Sequence, residues 1–233
     1  SDCLSIWGVA REVAAILGSS VTPVIYNVNP IQHSDKKIVA VDEKTACPRY
    51  CGRIIKNVDN TKKLPDWMAS RLERSNIKSI SPIVDITNYV MRELGTPLHA
   101  FDLNAIGSEV IVRKAHSSEQ LITLDGVERK LHAEDLLIAN QKEALCLAGL
   151  MGGKASGVSK ETESIFLESA NFDAVSIRKM AKRHGLNTDA SFRFERGVDP
   201  ELTYFALNRA IDLIVSITGG TLTRAKNLSL FSL

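Results

Sequence analysis

Apolar side chains recur at helical spacing in several stretches of the chain. In residues 5–18 the apolar stripe ends at Gly18, which is typical of a helix with a glycine C-cap. The apolar face of this helix comprises Ile6, Val9, Ala10, Val13, Ala14 and Leu17. Residues 19–35 carry turn formers and prolines, which indicate an extended connector. Residues 64–76 predict a second helix, with Pro65 near its first turn.

The signals for a helix are clearest in residues 79–97. Ser81 suits the N-cap, Pro82 the first helical position, and Gly95 the end of the helix. One face of this helix carries Ile83, Thr87, Val90 and Leu94. We therefore predict a helix that ends at Gly95 and place His99 in the loop that follows it.

Two further helices are predicted towards the C-terminus. Asp173 as N-cap and Gly185 just past the end delimit the first of them. The second begins with Asp199 as N-cap and Pro200 as its first residue. Its buried side comprises Leu202, Ala206, Leu213, Ile214 and Ile217.

Runs rich in valine, isoleucine and leucine predict strands in the first half and the middle of the chain. Asp125-Gly126 indicates a two-residue hairpin turn, and residues 140–143 ("NQKE") indicate the turn of another hairpin. The predicted strands lie within residues 36–43, 50–58, 109–115, 121–131, 135–139, 144–150 and 164–172. Because helices surround a block of strands instead of alternating with them, we predict an α+β fold with mainly antiparallel sheets and flanking helices.

Composition and charge narrow the function classes only a little. The chain has 233 residues, of which 44% are hydrophobic and 24% charged, as in an average soluble globular protein. A net charge of +2 is too small for a protein that holds nucleic acid by charge alone. The sequence has no apolar run of about 18 residues, as a transmembrane helix requires, and no secretory signal. It does not begin with Met, so we expect a part of a longer protein. Cysteines that we expect to be reduced fit a cytoplasmic setting.

The cysteines raise the possibility of a zinc site and the glycines that of a nucleotide-binding loop, but the spacing of these residues favours neither. Cys47 and Cys51 form one C-x3-C pair, but no second pair completes a zinc site, so we expect reduced thiols and no metal. The glycine-rich residues 148–158 lack P-loop spacing, and Ala155 replaces the hydroxyl residue, which argues against nucleotide binding. A tight loop and a loop whose backbone amides meet a ligand both remain open.

Two side chains are candidates for chemistry. His99 by itself fits a structural role as well as a catalytic one. Glu168 follows three apolar residues, and an unpaired buried carboxylate is costly, so it must reach solvent, a cation or a hydrogen-bond donor. An exposed strand end and a site carboxylate are both compatible with that position. No G-x-S-x-G motif or other covalent nucleophile is present.

Charged segments occupy residues 178–200. The cations on residues 178–184 ("RKMAKRH") suit either a solvated helix face or a contact with RNA phosphates. Residues 185–200 ("GLNTDASFRFERGVDP") begin with a polar turn and continue as charges alternating around Phe194, which indicates a strand. We interpret Arg193, Glu195 and Arg196 as ion pairs that hold this segment in place.

Four long motifs, in the same order, resemble a known family. Residues 79–102 ("SISPIVDITNYVMRELGTPLHAFD"), 124–131 ("LDGVERKL"), 147–172 ("LAGLMGGKASGVSKETESIFLESANF") and 185–200 are similar to the B3/B4 region of the β subunit of bacterial phenylalanyl-tRNA synthetases. Residues 2–16 resemble the segment that joins this region to the preceding module. The resemblance implies an N-terminal helix and connector in residues 1–36 and a B3/B4 tRNA-editing domain in residues 37–233.

In that family the B3/B4 region hosts a site that hydrolyses tyrosine wrongly attached to tRNA(Phe). A second, hydrolytic sieve is useful because a phenylalanine pocket cannot strongly reject an analogue that only adds a hydroxyl. The resemblance implies that His99 and Glu168 are the catalytic residues. His99 would lie near the ester or the terminal adenosine, and Glu168 would accept a hydrogen bond from the tyrosine phenol. It implies substrate contacts for Asn88, Ala148, Gly149, Gly152, Thr188 and Ala190. Thr188 and Ala190 would form the pocket wall, and glycine amides would donate to the phenolic oxygen.

The resemblance also implies partners. These are the α subunit in an α2β2 heterotetramer, which carries out aminoacylation, together with tRNA(Phe) and the misacylated tyrosine, and no membrane. ATP and magnesium serve the complete enzyme, and we expect no cofactor for this domain. The expected reaction is attack of an ordered water on the ester, positioned by His99 and the ribose hydroxyl of the substrate. The alternative is a non-catalytic structural and RNA-docking module.

Overall fold

A computed structural model describes residues 3–229 of the chain, and the five helices predicted from the periodicity are present, together with one more. The helices are α1 (Ile6–Leu17), α2 (Asp66–Arg74), α3 (Pro82–Leu94), α4 (Ala174–His184), α5 (Asp189–Phe194) and α6 (Leu202–Thr218). Gly18, Gly95 and Gly185 close α1, α3 and α4 in the left-handed conformation, as predicted. Within the described part of the chain, no helix is long and apolar enough to cross a membrane.

The strands form two larger sheets and one short hairpin. The strands are β1 (Ile38–Val41), β2 (Arg49–Lys56), β3 (Leu98–Asp102), β4 (Glu109–Lys114), β5 (Gln120–Ile122), β6 (Glu128–Lys130), β7 (Leu136–Ala139), β8 (Ala144–Leu147), β9 (Met151–Gly152), β10 (Ser164–Asn171), β11 (Thr221–Leu222) and β12 (Lys226–Ser229). Sheet I has the order β1-β4-β7-β8-β9, and sheet II has the order β11-β2-β10-β3, with β12 also paired to β2. Only the β1–β4 pair is parallel among the described strands, which confirms the α+β, mainly antiparallel class.

Sheet II divides the apolar interior into two cores. On one side, the residues of α2, α3 and α6 pack against it, and we call this the helix-side core. On the other side, sheet I, α4 and α5 pack against it, and we call this the sheet-side core. Side chains alternate along a strand, so Ile165 and Leu167 of β10 enter the helix-side core, whereas Phe166 and Ala170 enter the sheet-side core. Glu168, between Phe166 and Ala170 in this alternation, therefore faces the sheet-side core.

The structure corrects the prediction for residues 185–200. The predicted strand is the helix α5, because Thr188 and Ser191 form a capping box: Thr188 Oγ1 accepts from the Ser191 amide, and Ser191 Oγ accepts from the Thr188 amide. The ion pairs are present on this helix and just after it. Arg193 pairs with Asp189 at 3.1 Å, and Arg196 pairs with Glu195.

Two helix predictions were wrong in detail. The apolar face predicted for α1 lies mostly in solvent, and Ala14 is its one buried residue, because α1 contacts α3 through an adjoining side that includes Trp7 and the buried Gly8. The exposed positions of the predicted face are Ile6, Val9, Val13 and Leu17. The last helix, α6, begins with Glu201 as N-cap instead of Asp199. Asp199 accepts a hydrogen bond from the Glu201 amide at 2.8 Å, which closes a turn before the helix.

Two loop predictions were also wrong. The hairpin of β5 and β6 has a five-residue connection, residues 123–127, because Asp125 accepts from the Thr123 hydroxyl at 2.6 Å and from the Val127 amide at 3.2 Å. His99 belongs to β3 and not to a loop, since only two residues separate Gly95 from that strand. Glu168 is also well inside a strand, with β10 continuing to Asn171.

Candidate functional site

A small cavity lies on the sheet-side face of sheet II, between that sheet, the turn that joins β8 to β9, and α5. Its volume of about 80 Å³ can hold several water molecules. The part of the wall that the sequence predicted comprises His99, Gly149, Gly152, Glu168 and Ala190. Most of the candidate residues are thus brought together in one place.

Strand pairing sets His99 and Glu168 side by side. Glu168 of β10 is directly opposite His99 of β3 in the antiparallel register, so both side chains leave the same face of sheet II. Glu168 is 5% exposed, and its Oε2 accepts a hydrogen bond of 2.6 Å from the Tyr50 hydroxyl. The sequence position of Glu168 required solvent, a cation or a hydrogen-bond donor next to it, and the structure provides the hydrogen-bond donor. Within residues 3–229, Oε1 has no hydrogen-bond partner.

Burial moves the pKa values of these two side chains in opposite directions. Burial raises the pKa of Glu168 to about 7, and the hydrogen bond from Tyr50 lowers it by a smaller amount. Burial lowers the pKa of His99 to about 4, so its imidazole is neutral at physiological pH. Neutral imidazole presents one nitrogen as a proton acceptor. The Nε2 atom of His99 is buried and has no partner in the described part of the chain.

The two glycines of the wall are needed for different reasons. Gly152 lies against the His99 ring: a Cβ at this position would be 2.7 Å from Cε1 of His99. Gly149 has a φ of +65°, and a Cβ there would lie 2.8 Å from Phe172 and 2.9 Å from Phe194. The Gly149 amide has no acceptor among the described residues, which leaves a donor in the cavity wall.

Helix α5 contributes Ala190 and Phe194 to the wall. Thr188 lies behind it, because its hydroxyl donates to the backbone carbonyl of Leu150 at 3.0 Å and caps α5. This bond ties α5 to the turn that carries Gly149. Thr188 therefore holds two parts of the wall together without lining the cavity.

Besides Thr188, two further candidates fall outside the wall. Ala148 is fully buried, its amide donates to the Leu136 carbonyl, and it does not line the cavity. Asn88 lies on α3, half-buried, and does not line the cavity either.

Sequence reasoning missed several parts of the site. Tyr50 was read only as the start of a strand, although a buried tyrosine needs a partner for its hydroxyl. Cys146 lines the cavity from β8, and Phe172 and Phe194, whose rings are 5.1 Å apart, form its aromatic floor. Cys47, Cys51 and Cys146 are buried free thiols. No cluster of metal-ligating side chains occurs in residues 3–229.

Comparison with known families defines the class of protein to which this fold and cavity correspond. Residues 46–219 match the profile of the B3/4 domain, and the chain belongs to that family. The match includes every residue of the cavity wall.

Individual relatives are more specific. The chain is 52% identical over 220 residues to the phenylalanine--tRNA ligase β subunit of Pseudomonas savastanoi pv. phaseolicola, and 47% identical over 225 residues to that of Yersinia pestis. Each alignment covers 94% of this chain and 28% of the relative, so the chain spans just over a quarter of the length of these β subunits. The resemblance to the B3/B4 region of bacterial phenylalanyl-tRNA synthetases is thus confirmed.

A solved structure agrees at the level of the fold. The crystal structure of an N-terminal fragment of the phenylalanyl-tRNA synthetase β subunit from Pyrococcus horikoshii matches with a TM-score of 0.55 and 16% identity. The match covers 94% of this chain and 58% of that fragment. The arrangement of helices and sheets is therefore shared with a distant member of the family.

Proposed function

We propose that the cavity is an editing site that hydrolyses tyrosine from mischarged tRNA(Phe). The observation that carries this proposal is the buried Glu168 carboxylate, which has one oxygen held by Tyr50 and the other without a partner. Oε1 is not one of the fully buried atoms without a partner, so it is open to the cavity, where a ligand can supply a hydrogen-bond donor. Tyrosine offers a phenolic hydroxyl and phenylalanine does not, so this contact would select the wrong amino acid for removal.

The surrounding wall suits an aromatic amino acid. The rings of Phe172 and Phe194 supply an apolar floor, and the amide of Gly149 is a second group that can bond to the phenolic oxygen. A phenol can donate to Glu168 while it accepts from Gly149, so both hydrogen bonds are compatible. A site that hydrogen-bonds a substrate hydroxyl rejects the analogue without it by a factor of about 10⁴ to 10⁵ in favourable cases.

His99 is suited to the hydrolytic step. Its Nε2 is without a protein partner and its imidazole is neutral, so it can accept a hydrogen bond from a water molecule and orient it towards the ester carbonyl. The water attacks the carbonyl carbon, the bond between that carbon and the ribose oxygen breaks, and a proton from the water passes to that oxygen. Free tyrosine and deacylated tRNA leave. The substrate's own ribose hydroxyl would help to position the water.

We further propose that this domain, residues 37–233, acts within a longer β subunit. Its partners would be the α subunit and tRNA(Phe), and aminoacylation with ATP and magnesium would take place elsewhere in the complete enzyme. The small net charge of the chain agrees with tRNA being held largely by other modules. A cytoplasmic location would follow from that role.

Deacylation of Tyr-tRNA(Phe) tests the proposal, measured both with this chain and with the complete enzyme. We expect Glu168→Ala to slow hydrolysis by about 10- to 150-fold, the equivalent of one lost hydrogen bond to a charged group. We expect His99→Ala to slow it by about 100-fold or more. Ala190→Trp should also abolish hydrolysis, because the indole would fill the cavity.

The controls separate a lost site from a lost fold. Phe-tRNA(Phe) should be hydrolysed slowly by every form, and circular dichroism should be unchanged in each variant. If the complete enzyme hydrolyses Tyr-tRNA(Phe) equally well with Glu168→Ala, the assignment of the phenol contact is wrong. If the wild-type complete enzyme is no faster than buffer, the editing function itself is wrong, and a structural and RNA-docking role takes its place.

A further inference from the structure

One polar contact in the cavity has no counterpart among the predicted site residues: the hydrogen bond from Tyr50 to Glu168. Directly opposite Glu168 on β2 is Gly52, which has no side chain to offer. Tyr50, two residues before Gly52 on the same strand and face, occupies the diagonal position. Long aromatic side chains can bridge such a diagonal pair. Its hydroxyl therefore reaches Oε2 at 2.6 Å.

We propose that Tyr50 is a positioning residue of the editing cavity, whose hydroxyl binds one oxygen of Glu168 and keeps the carboxylate in the form that accepts the phenol of tyrosine. The proposal rests on the editing function and deepens it, because it names what sets the specificity of Glu168. Tyr50 is fully buried and lies outside the cavity wall, so it acts through Glu168 and not on the substrate.

The geometry gives Tyr50 two effects. First, the bond fixes the side-chain rotamer of Glu168, because Oε2 is committed to Tyr50 and only Oε1 is left for a ligand. Second, a hydroxyl that donates to a carboxylate stabilises its ionised form, so the bond opposes the effect of burial on the Glu168 pKa. Without the hydroxyl, Glu168 would hold its proton to a higher pH and would itself become a donor.

The other groups that face Glu168 do not titrate in the same range. Cys47, which precedes β2, and Cys146 of β8 both have pKa values raised well above the usual thiol range by burial and by the charge of Glu168. The pKa of Tyr50 itself is raised by the same causes. The pKa of His99 is lowered to about 4 by burial. Glu168 is therefore the group in this set whose titration, near pH 7, can be followed between pH 5 and 9.

The test is the pH profile of Tyr-tRNA(Phe) hydrolysis by the complete enzyme, corrected for hydrolysis in buffer, for wild type and Tyr50→Phe. Wild-type activity should rise through a midpoint near pH 7, where Glu168 ionises. In Tyr50→Phe the midpoint should move up by about one to two pH units, the equivalent of one hydrogen bond to a charged group. At pH 7 this shift lowers activity by about 5- to 50-fold, and the activity should recover above the new midpoint.

Tyr89→Phe is the matched control. The hydroxyl of Tyr89 also donates to a glutamate, Glu93 at 2.9 Å, but it lies on α3, in the helix-side core. Removing it should leave the midpoint unchanged. A merely structural role for Tyr50 predicts an activity loss that is equal at all pH values, and that result would overturn the proposal.

A double-mutant cycle covers the case in which Tyr50→Phe weakens the fold. In a Glu168→Gln background there is no carboxylate to ionise, so adding Tyr50→Phe should cause no further shift of any midpoint. A shift of the same size in both backgrounds would contradict the proposal. If the wild-type enzyme shows no hydrolysis above buffer, it is the editing function that fails. An active wild type whose midpoint Tyr50→Phe leaves unchanged refutes only the role of Tyr50.

Discussion

The two faces of sheet II have opposite properties, although they are built from alternate residues of the same strands. On the helix side, β10 presents Ile165 and Leu167 to a core made of apolar side chains from three helices. On the sheet side, the residue next to Leu167 is Glu168, which lies beside His99 and bonds to Tyr50. The same backbone is thus a packing surface on one face and the base of a polar cavity on the other.

This difference explains how the cavity holds its geometry. Functional groups placed on strands are positioned more rigidly than groups on loops. The helix-side core fixes the strands, because the apolar side chains of one face of sheet II pack there with buried residues of α2, α3 and α6. Burying a carboxylate and an imidazole on the other face is unfavourable, and the apolar packing of the helix-side core offsets this free-energy cost. Substitutions on the two faces should therefore affect different measurements.

The largest expected effect comes from the helix-side face. Leu167→Ala removes a fully buried side chain and should lower the free energy of unfolding by about 2–5 kcal/mol, measured by urea denaturation. Once folded, the variant should still hydrolyse Tyr-tRNA(Phe), because the cavity face is unchanged. Leu17→Ala, at a position 72% exposed on α1, is the control and should change the free energy of unfolding by less than about 0.5 kcal/mol. Equal effects at the two positions would contradict the burial of Leu167 in the helix-side core.

The next effect is the pH dependence of the free energy of unfolding that Glu168 and His99, on the cavity face, should produce. Burial raises the pKa of Glu168 from its ordinary value of 4.5 to about 7 in the folded state, so its contribution to the free energy of unfolding falls as the pH rises between these values. His99 stays neutral down to about pH 4, against 6.5, so its contribution falls as the pH drops through that range. Each contribution amounts to about 3 kcal/mol at most. Between about pH 4.5 and 6.5 the two oppose each other.

Single substitutions should separate these opposing slopes. Glu168→Gln should leave the contribution of His99, so that stability rises with pH between about 4 and 6.5. His99→Gln should leave the contribution of Glu168, so that stability falls with pH between about 4.5 and 7. Urea denaturation at several pH values measures both slopes. Slopes of the same sign in the two variants would show that these side chains are not buried as described.

Much of the scaffold could be predicted from the sequence, because its signals are local. The ends of α3 follow from Ser81, Pro82 and Gly95, and β10 follows from its run of apolar residues. The failures have physical reasons as well. Charges alternating around Phe194 suggested a strand, but a capping box at Thr188 and Ser191 is a stronger local signal and produces α5.

The candidate site residues could be proposed only through resemblance to a family. His99 and Glu168 are 69 residues apart in the sequence, and no spacing rule brings them together; the pairing of β3 with β10 does. The bond from Tyr50 to Glu168 joins residues 118 apart across a diagonal of the β2–β10 pair, which sequence spacing does not indicate. The buried side of α1 was predicted wrongly from a local pattern. Amphipathic spacing shows that a helix has an apolar face, but it does not show which side of the helix contacts a neighbouring helix.

The smallest expected effect compares two helix N-caps, one at the cavity and one away from it. Thr188→Ala removes the cap of α5, and Ser5→Ala removes the cap of α1, whose Oγ accepts from the Gly8 amide at 2.9 Å. Each should lower the free energy of unfolding by about 1 kcal/mol. Only Thr188→Ala should also weaken Tyr-tRNA(Phe) hydrolysis, by raising KM severalfold, because the Thr188 hydroxyl ties α5 to the Leu150 carbonyl beside the cavity. Thr188→Ser, which keeps the hydroxyl, should restore both properties. An unchanged KM in Thr188→Ala would mean that this bond does not hold the wall in place.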